Sequence, residues 1–144
     1  MSRLKLVAVL AAVTALGGCS STHTWGAKLT PTGLPRLVDT VCGAPDVAAM
    51  WIRAANDNAE IWRIEFARPV PLREVTVGQK PEGAEEKVAW QPQAGDRLLQ
   101  ASVRRSDGST PVVEFTLDQL KDGKVKYEDE YLTADEFAQK RASC

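Results

Sequence analysis

Five carboxylates fall within nine residues late in the sequence: Glu128, Asp129, Glu130, Asp135 and Glu136. On a regular strand Glu128 and Glu130 share one face about 6–7 Å apart, close to the spacing of paired glycosidase carboxylates, so acid chemistry on a glycan is one reading. The other is a solvated strand edge followed by acids that favour a helix N-terminus, or an acidic surface that docks a basic protein. Asp129 shares the alternation parity of Val125, Tyr127 and Tyr131, which predicts a carboxylate on the apolar side of that strand, a candidate perturbed acid or base. Four tryptophans, Trp25, Trp51, Trp62 and Trp90, supply aromatic surface. Trp62 belongs to an apolar stripe, whereas Trp25 and Trp90 are the candidates for exposure and partner contact.

The start of the sequence bears on where this chemistry takes place. Arg3 and Lys5 precede an apolar run over residues 6–15, and Leu16-Gly17-Gly18-Cys19 follows. The run is too short for a membrane-spanning helix, which needs about 20 residues, and has the length of an export signal. Leu16-Gly17-Gly18-Cys19 resembles the lipobox of bacterial lipoproteins. That resemblance implies a signal peptide over residues 1–18, cleavage before Cys19, a diacylglyceryl thioether on its sulfur and acylation, such as by palmitate, of its new amino group. Ser20 after the lipidated cysteine implies an outer-membrane lipoprotein facing the periplasm. The competing reading is an ordinary secretory signal cut after Ala15. Removal of residues 1–18 leaves 126 of the 144 residues and moves the formal charge from −1 to −3 by taking away Arg3 and Lys5.

An exported chain lives in an oxidising compartment, so the lipoprotein resemblance further implies a disulfide between Cys42 and Cys144, the cysteines left once Cys19 carries lipid. A reactive or metal-binding thiol at Cys42 is the alternative, and it needs a base or cation beside it. His23 is the only histidine of the chain, and it stands four residues after Cys19 in a polar stretch. Ser-His-Asp and Cys-His catalysis need an imidazole in the folded site, and zinc sites draw on His and Cys, so no catalytic residue and no metal ligand is expected. The sequence carries no Gly-x-Gly-x-x-Gly, phosphate-binding loop or calcium loop, and no cofactor is expected. With 18 Lys+Arg against 19 Asp+Glu and no basic cluster, nucleic acid is not an expected partner.

The elements that would position these residues follow from periodicity. Residues 19–32 read as the lipidated cysteine and a polar tether, and residues 33–144 as a single globular domain. Leu34, Leu37, Val38 and Val41 recur at helical spacing, with Pro35 in a first turn and Gly43 as a stop, which predicts a short helix. Residues 47–55 read either as a helical stripe of Val47, Met50, Trp51 and Ala54 or, the reading favoured, as a strand over 50–54 that enters a hairpin at Asn56-Asp57-Asn58. Strands are also expected over the alternating Trp62, Ile64 and Phe66, and over 72–77, 87–90, 98–104, 112–117 and 125–131. Ser106-Asp107-Gly108-Ser109 and Asp122-Gly123 are turn chemistry, and residues 81–86 read as a polar loop. Thr133 with Glu136 forms a capping box and Leu132 with Phe137 a hydrophobic staple, so a helix should start there. The fold expected is α+β, with mainly β as the alternative: a single antiparallel sheet of five to six strands with a short helix near each end, left free to close into a sandwich or small barrel.

Residues 61–72 resemble a strand-turn-strand pattern of discoidin-like β-sandwich binding modules, over about a dozen residues and without a diagnostic motif, so no functional residue carries over. The cysteine pair is similar to that of small periplasmic inhibitors of lysozyme, whose aromatic and glycine signatures are missing here. The expectation is a non-enzymatic envelope lipoprotein held to the membrane through Cys19, binding an envelope protein as an assembly or accessory factor through Glu128, Glu130, Asp135 or Trp90. The alternatives are an inhibitor or immunity protein against a cell-wall hydrolase, acting through the acidic patch or a loop over residues 78–86, and a carbohydrate-binding module.

Overall fold

The computed structural model describes residues 25–40 and 45–142. They form ten strands: β1 (Trp25–Leu29), β2 (Pro35–Asp39), β3 (Val47–Ala54), β4 (Glu60–Val70), β5 (Glu74–Thr76), β6 (Ala84–Val88), β7 (Leu99–Arg105), β8 (Val112–Phe115), β9 (Val125–Tyr127) and β10 (Glu130–Leu132). One helix, α1 (Ala134–Ala142), follows them, and a 3-10 turn at Asp118–Leu120 links β8 to β9. The strands make two five-stranded antiparallel sheets, ordered β10-β9-β1-β2-β5 and β6-β4-β3-β7-β8. The expected α+β fold with one sheet and two helices is therefore overturned in favour of a mostly β molecule with two sheets.

One core lies between the sheets. Trp25, Ala27, Leu37 and Val75 enter it from the first sheet, and Met50, Ile52, Trp62, Ile64, Val103 and Phe115 from the second. Each face of a sheet must bury its apolar side against another layer, and here each sheet does so against the other. A second, smaller cluster of Val38, Val125, Leu132 and Phe137 places α1 on the outer face of the first sheet. That sheet is thus covered on both faces at its β9–β10 side.

The double covering explains the misread helix. Leu37 faces the second sheet and the adjacent Val38 faces α1, so β2 is apolar on consecutive positions and imitates helical spacing. In place of a helix, Pro35–Asp39 pairs with β1 from Trp25↔Asp39 to Leu29↔Pro35. The connecting turn is fastened by Thr30, whose Oγ1 accepts from the Leu34 main-chain N–H at 3.1 Å. Val41 and Gly43, the other residues of the expected helix, lie outside the described residues.

The tether boundary at residue 32 also needs correction. β1 lies between β9 and β2 in the first sheet, and Trp25 is 1% exposed, so the folded body already includes Trp25. Gly26 is required there, because a Cβ at that position would meet the Lys126 carbonyl oxygen at 2.8 Å.

Most hairpin expectations match the structure. β3 and β4 meet around Asn58, which takes φ 56°, and Asp57 accepts from the Ala59 N–H at 3.0 Å. Asp107 accepts from both the N–H and the hydroxyl of Ser109, at 2.8 and 2.6 Å. The residues from 61 to 70 that resembled a strand-turn-strand unit lie instead within the single strand β4. The strand expected over 87–90 is Ala84–Val88, which takes in part of the stretch read as a polar loop, because an edge strand carries charge where a central one does not. The strand expected over 72–77 shrinks to Glu74–Thr76.

Candidate functional site

The stretch expected as one strand over 125–131 is a hairpin. β9 and β10 pair as Tyr127↔Glu130, Tyr131↔Lys126 and Leu132↔Val125, closed by Glu128 and Asp129, with Glu128 at φ 51°. Two expectations fall with it. Glu128 and Glu130 do not line one strand face as a carboxylate pair, since Glu128 stands in the turn. Nor do Val125, Tyr127, Asp129 and Tyr131 share a face: Val125 packs in the cluster under α1, while Tyr131 packs against the core between the sheets.

The hairpin and α1 enclose a shallow groove lined by Glu130, Tyr131, Leu132, Glu136, Gln139 and Lys140. Its helical wall starts at the expected capping box: the Thr133 N–H donates to Glu136 Oε2 at 2.8 Å, and the Glu136 N–H donates to Thr133 Oγ1 at 3.2 Å. The Thr133 hydroxyl also donates to Glu136 Oε2, at 3.0 Å, and the main-chain and hydroxyl bonds together hold the Glu136 carboxyl below its ordinary range. The staple forms as well, with Leu132 and Phe137 in one buried cluster, and Phe137 meets Tyr127 edge-on at a centroid separation of 6.1 Å.

Lys140 ties the last turn of α1 back to the hairpin. Its Nζ lies 3.1 Å from Glu130 Oε2 and 5.0 Å from the centre of the Tyr127 ring. The hydrogen bond to Glu130 raises the Lys140 pKa. The Tyr131 side chain turns to the other face of β10: its hydroxyl donates to Gln119 Oε1 at 2.6 Å, the Lys126 ammonium lies 4.6 Å from its ring centre, and burial raises its pKa. The two carboxylates that line the groove are both engaged, Glu136 by the cap and Glu130 by Lys140.

Glu128, Glu130 and Asp135 are all exposed; Glu128 stands in the turn, Asp135 in the first turn of α1, and of the three Glu130 lines the groove. Trp90 is not brought to them. It is half-buried, packs on the core and lies against Gly78, with its Cβ 3.4 Å from where a Gly78 side chain would begin. Gly78 follows β5, which is the opposite edge of the first sheet from β10. Trp25, the other tryptophan expected at the surface, is buried. Cys19, Cys42, His23 and Cys144 lie outside the described residues.

Sequence reasoning missed a second feature. On the outer face of the second sheet, Trp51 pairs across to Arg63 on one side and Ser102 on the other. The Arg63 guanidinium sits 5.3 Å from the Trp51 ring centre and is held by Glu65 at 2.6 Å and Glu60 at 3.3 Å. Glu65 is the main cause of the raised Arg63 pKa. The alternation of Trp51 with the buried Met50 and Ile52 was the signal that could have placed it outward.

Among the described residues no three His, Cys, Asp or Glu side chains converge as a metal site, and no helix is long and apolar enough to cross a membrane. The fold and groove describe an antiparallel two-sheet protein with a helix on one flank. Comparison with protein-family models, curated proteins and solved structures finds no match for the chain.

Proposed function

We propose that this protein is an envelope lipoprotein, anchored through lipid on Cys19 to the outer membrane and facing the periplasm, that binds a protein partner and catalyses no reaction. The observation that carries the partner-binding reading is the groove between β10, the outer strand of the first sheet, and α1, lined by Glu130, Tyr131, Leu132, Glu136, Gln139 and Lys140. Sheet edges of this kind are a recurrent place for proteins to take up a partner segment. Anchoring rests on the likeness of Leu16-Gly17-Gly18-Cys19 to a lipobox; two or more acyl chains, at about 0.8 kcal/mol per buried methylene, hold a protein on its bilayer. A bridge from Cys42 to Cys144 belongs to the same reading.

The test is photo-crosslinking in intact cells, with a photoreactive residue at Gln139 and a second at the exposed Arg104 on the far sheet. A discrete adduct with one envelope protein from Gln139 supports the reading. Recovery of unmodified Cys19 in the mature protein, or adducts from neither position, counts against it.

A further inference from the structure

β10 ends the first sheet, so one side of it pairs with β9 and the other faces no strand among the described residues. A two-residue turn makes its flanking residues a hydrogen-bonded pair, here Tyr127 and Glu130, and the pattern then alternates. The N–H and C=O of Glu130 and Leu132 are thereby turned to β9, and those of Tyr131 to the open edge. That edge is a wall of the groove, and α1 supplies the opposite wall through Gln139 and Lys140. A sheet edge beside a helix is the setting in which proteins take up an extended peptide as an added strand.

We infer that the groove takes an extended, lysine- or arginine-rich segment of the partner as an additional strand on β10, paired through the main chain of Tyr131. This rests on the partner-binding reading and adds the mode and chemistry of the contact. Charge selects the occupant. Glu130 and Glu136 line the groove against Lys140, and Glu128, Asp129 and Asp135 lie on the same hairpin and helix against Lys126 and Arg141, so the surroundings are net negative and match a basic strand better than an acidic one. The opposite edge, at β5, does not suit a basic strand, because its groove carries Arg36 and Lys80 against Glu74.

The mature lipidated protein in detergent would be titrated with a fluorescent decapeptide of alternating Lys and Val, with the same peptide N-methylated at alternate residues, and with a Glu-Val counterpart. Strand addition predicts that N-methylation and the Glu-Val exchange each weaken binding about tenfold or more, one hydrogen bond's worth. Glu130→Lys should weaken the Lys-Val peptide similarly, and that peptide should slow hydrogen exchange at the Tyr131 amide about tenfold. Equal binding of the methylated peptide, an unchanged Tyr131 amide, or no binding of the Lys-Val peptide would overturn the inference. So would a stable dimer in sedimentation that the peptide fails to dissociate, which would assign the edge to a second copy. Envelope crosslinks from Arg104 but not Gln139 leave partner binding standing and remove this site. Peptide binding at Tyr131 with no envelope crosslink does the reverse.

Discussion

The carboxylate of Asp39, fully buried at the end of β2, lies 4.0 Å from the guanidinium of Arg105 at the end of β7, so an ion pair crosses from one sheet to the other. Arg73 also pairs with Asp39 through its side chain, and its carbonyl accepts from the Asp39 N–H at 2.7 Å. Removing one partner of a buried pair strands the other charge, which costs about 3–5 kcal/mol. Asp39→Asn should lower unfolding free energy by that amount in urea titrations. An apolar exchange of both Asp39 and Arg105 should cost less than the single change.

Stability should also depend on pH through Glu136. Its pKa is depressed in the folded protein, so its stabilisation is present above the ordinary glutamate range and is lost as pH falls through the depressed value. Melting curves of the wild type and Glu136→Gln should differ at neutral pH and converge in acid. Thr133→Ala, which removes the cap hydroxyl, should cost about 1 kcal/mol at neutral pH.

Gly26→Ala should loosen the hairpin that forms the groove. The added Cβ would stand 2.8 Å from the Lys126 carbonyl oxygen, and overpacking of this kind costs about 1–3 kcal/mol. Hydrogen exchange should accelerate across β9 and β10 while the amides of β3 and β4 keep their protection; uniform acceleration would contradict this.

The proposed disulfide has a topological rationale. Asp39, at the end of β2, pairs with Trp25, and antiparallel β9 brings Tyr127 to that same end of the sheet. Lys140, next to Glu130, returns the helix there. The ends of β2 and α1, the described elements nearest Cys42 and Cys144 in sequence, thus lie toward one end of the first sheet. Non-reducing mass spectrometry should find a peptide linking Cys42 to Cys144, and reduction should destabilise the protein by at most about 4–5 kcal/mol, the chain-entropy bound for a loop of that length.

What was legible in the sequence was local. The cap at Thr133, the staple of Leu132 with Phe137 and the Asp107 turn depend on residues within a few positions of each other, and all appear as expected. β2 was misread because its environment comes from two distant layers, the second sheet on Leu37 and α1 on Val38, and neither is written in its own neighbourhood. The hairpin at Glu128 escaped because a left-handed φ is usually announced by Gly or Asn, and here a glutamate adopts it. Composition alone picked out the acidic cluster. Its arrangement around a groove depends on that hidden turn, while Trp90, a separate candidate, lies against Gly78.

β1 opens at Trp25, six residues after Cys19. A chain spans at most about 3.3–3.6 Å per residue, so a lipid-bearing Cys19 could lie no more than about 20 Å from the start of the first sheet. If Cys19 carries the proposed lipid, a leash that short would confine the domain to a thin layer above the bilayer and turn the search for a partner into a largely two-dimensional one. Partners that share the membrane would meet it at a high effective concentration, while one fixed across the periplasm would have to extend a segment down to it.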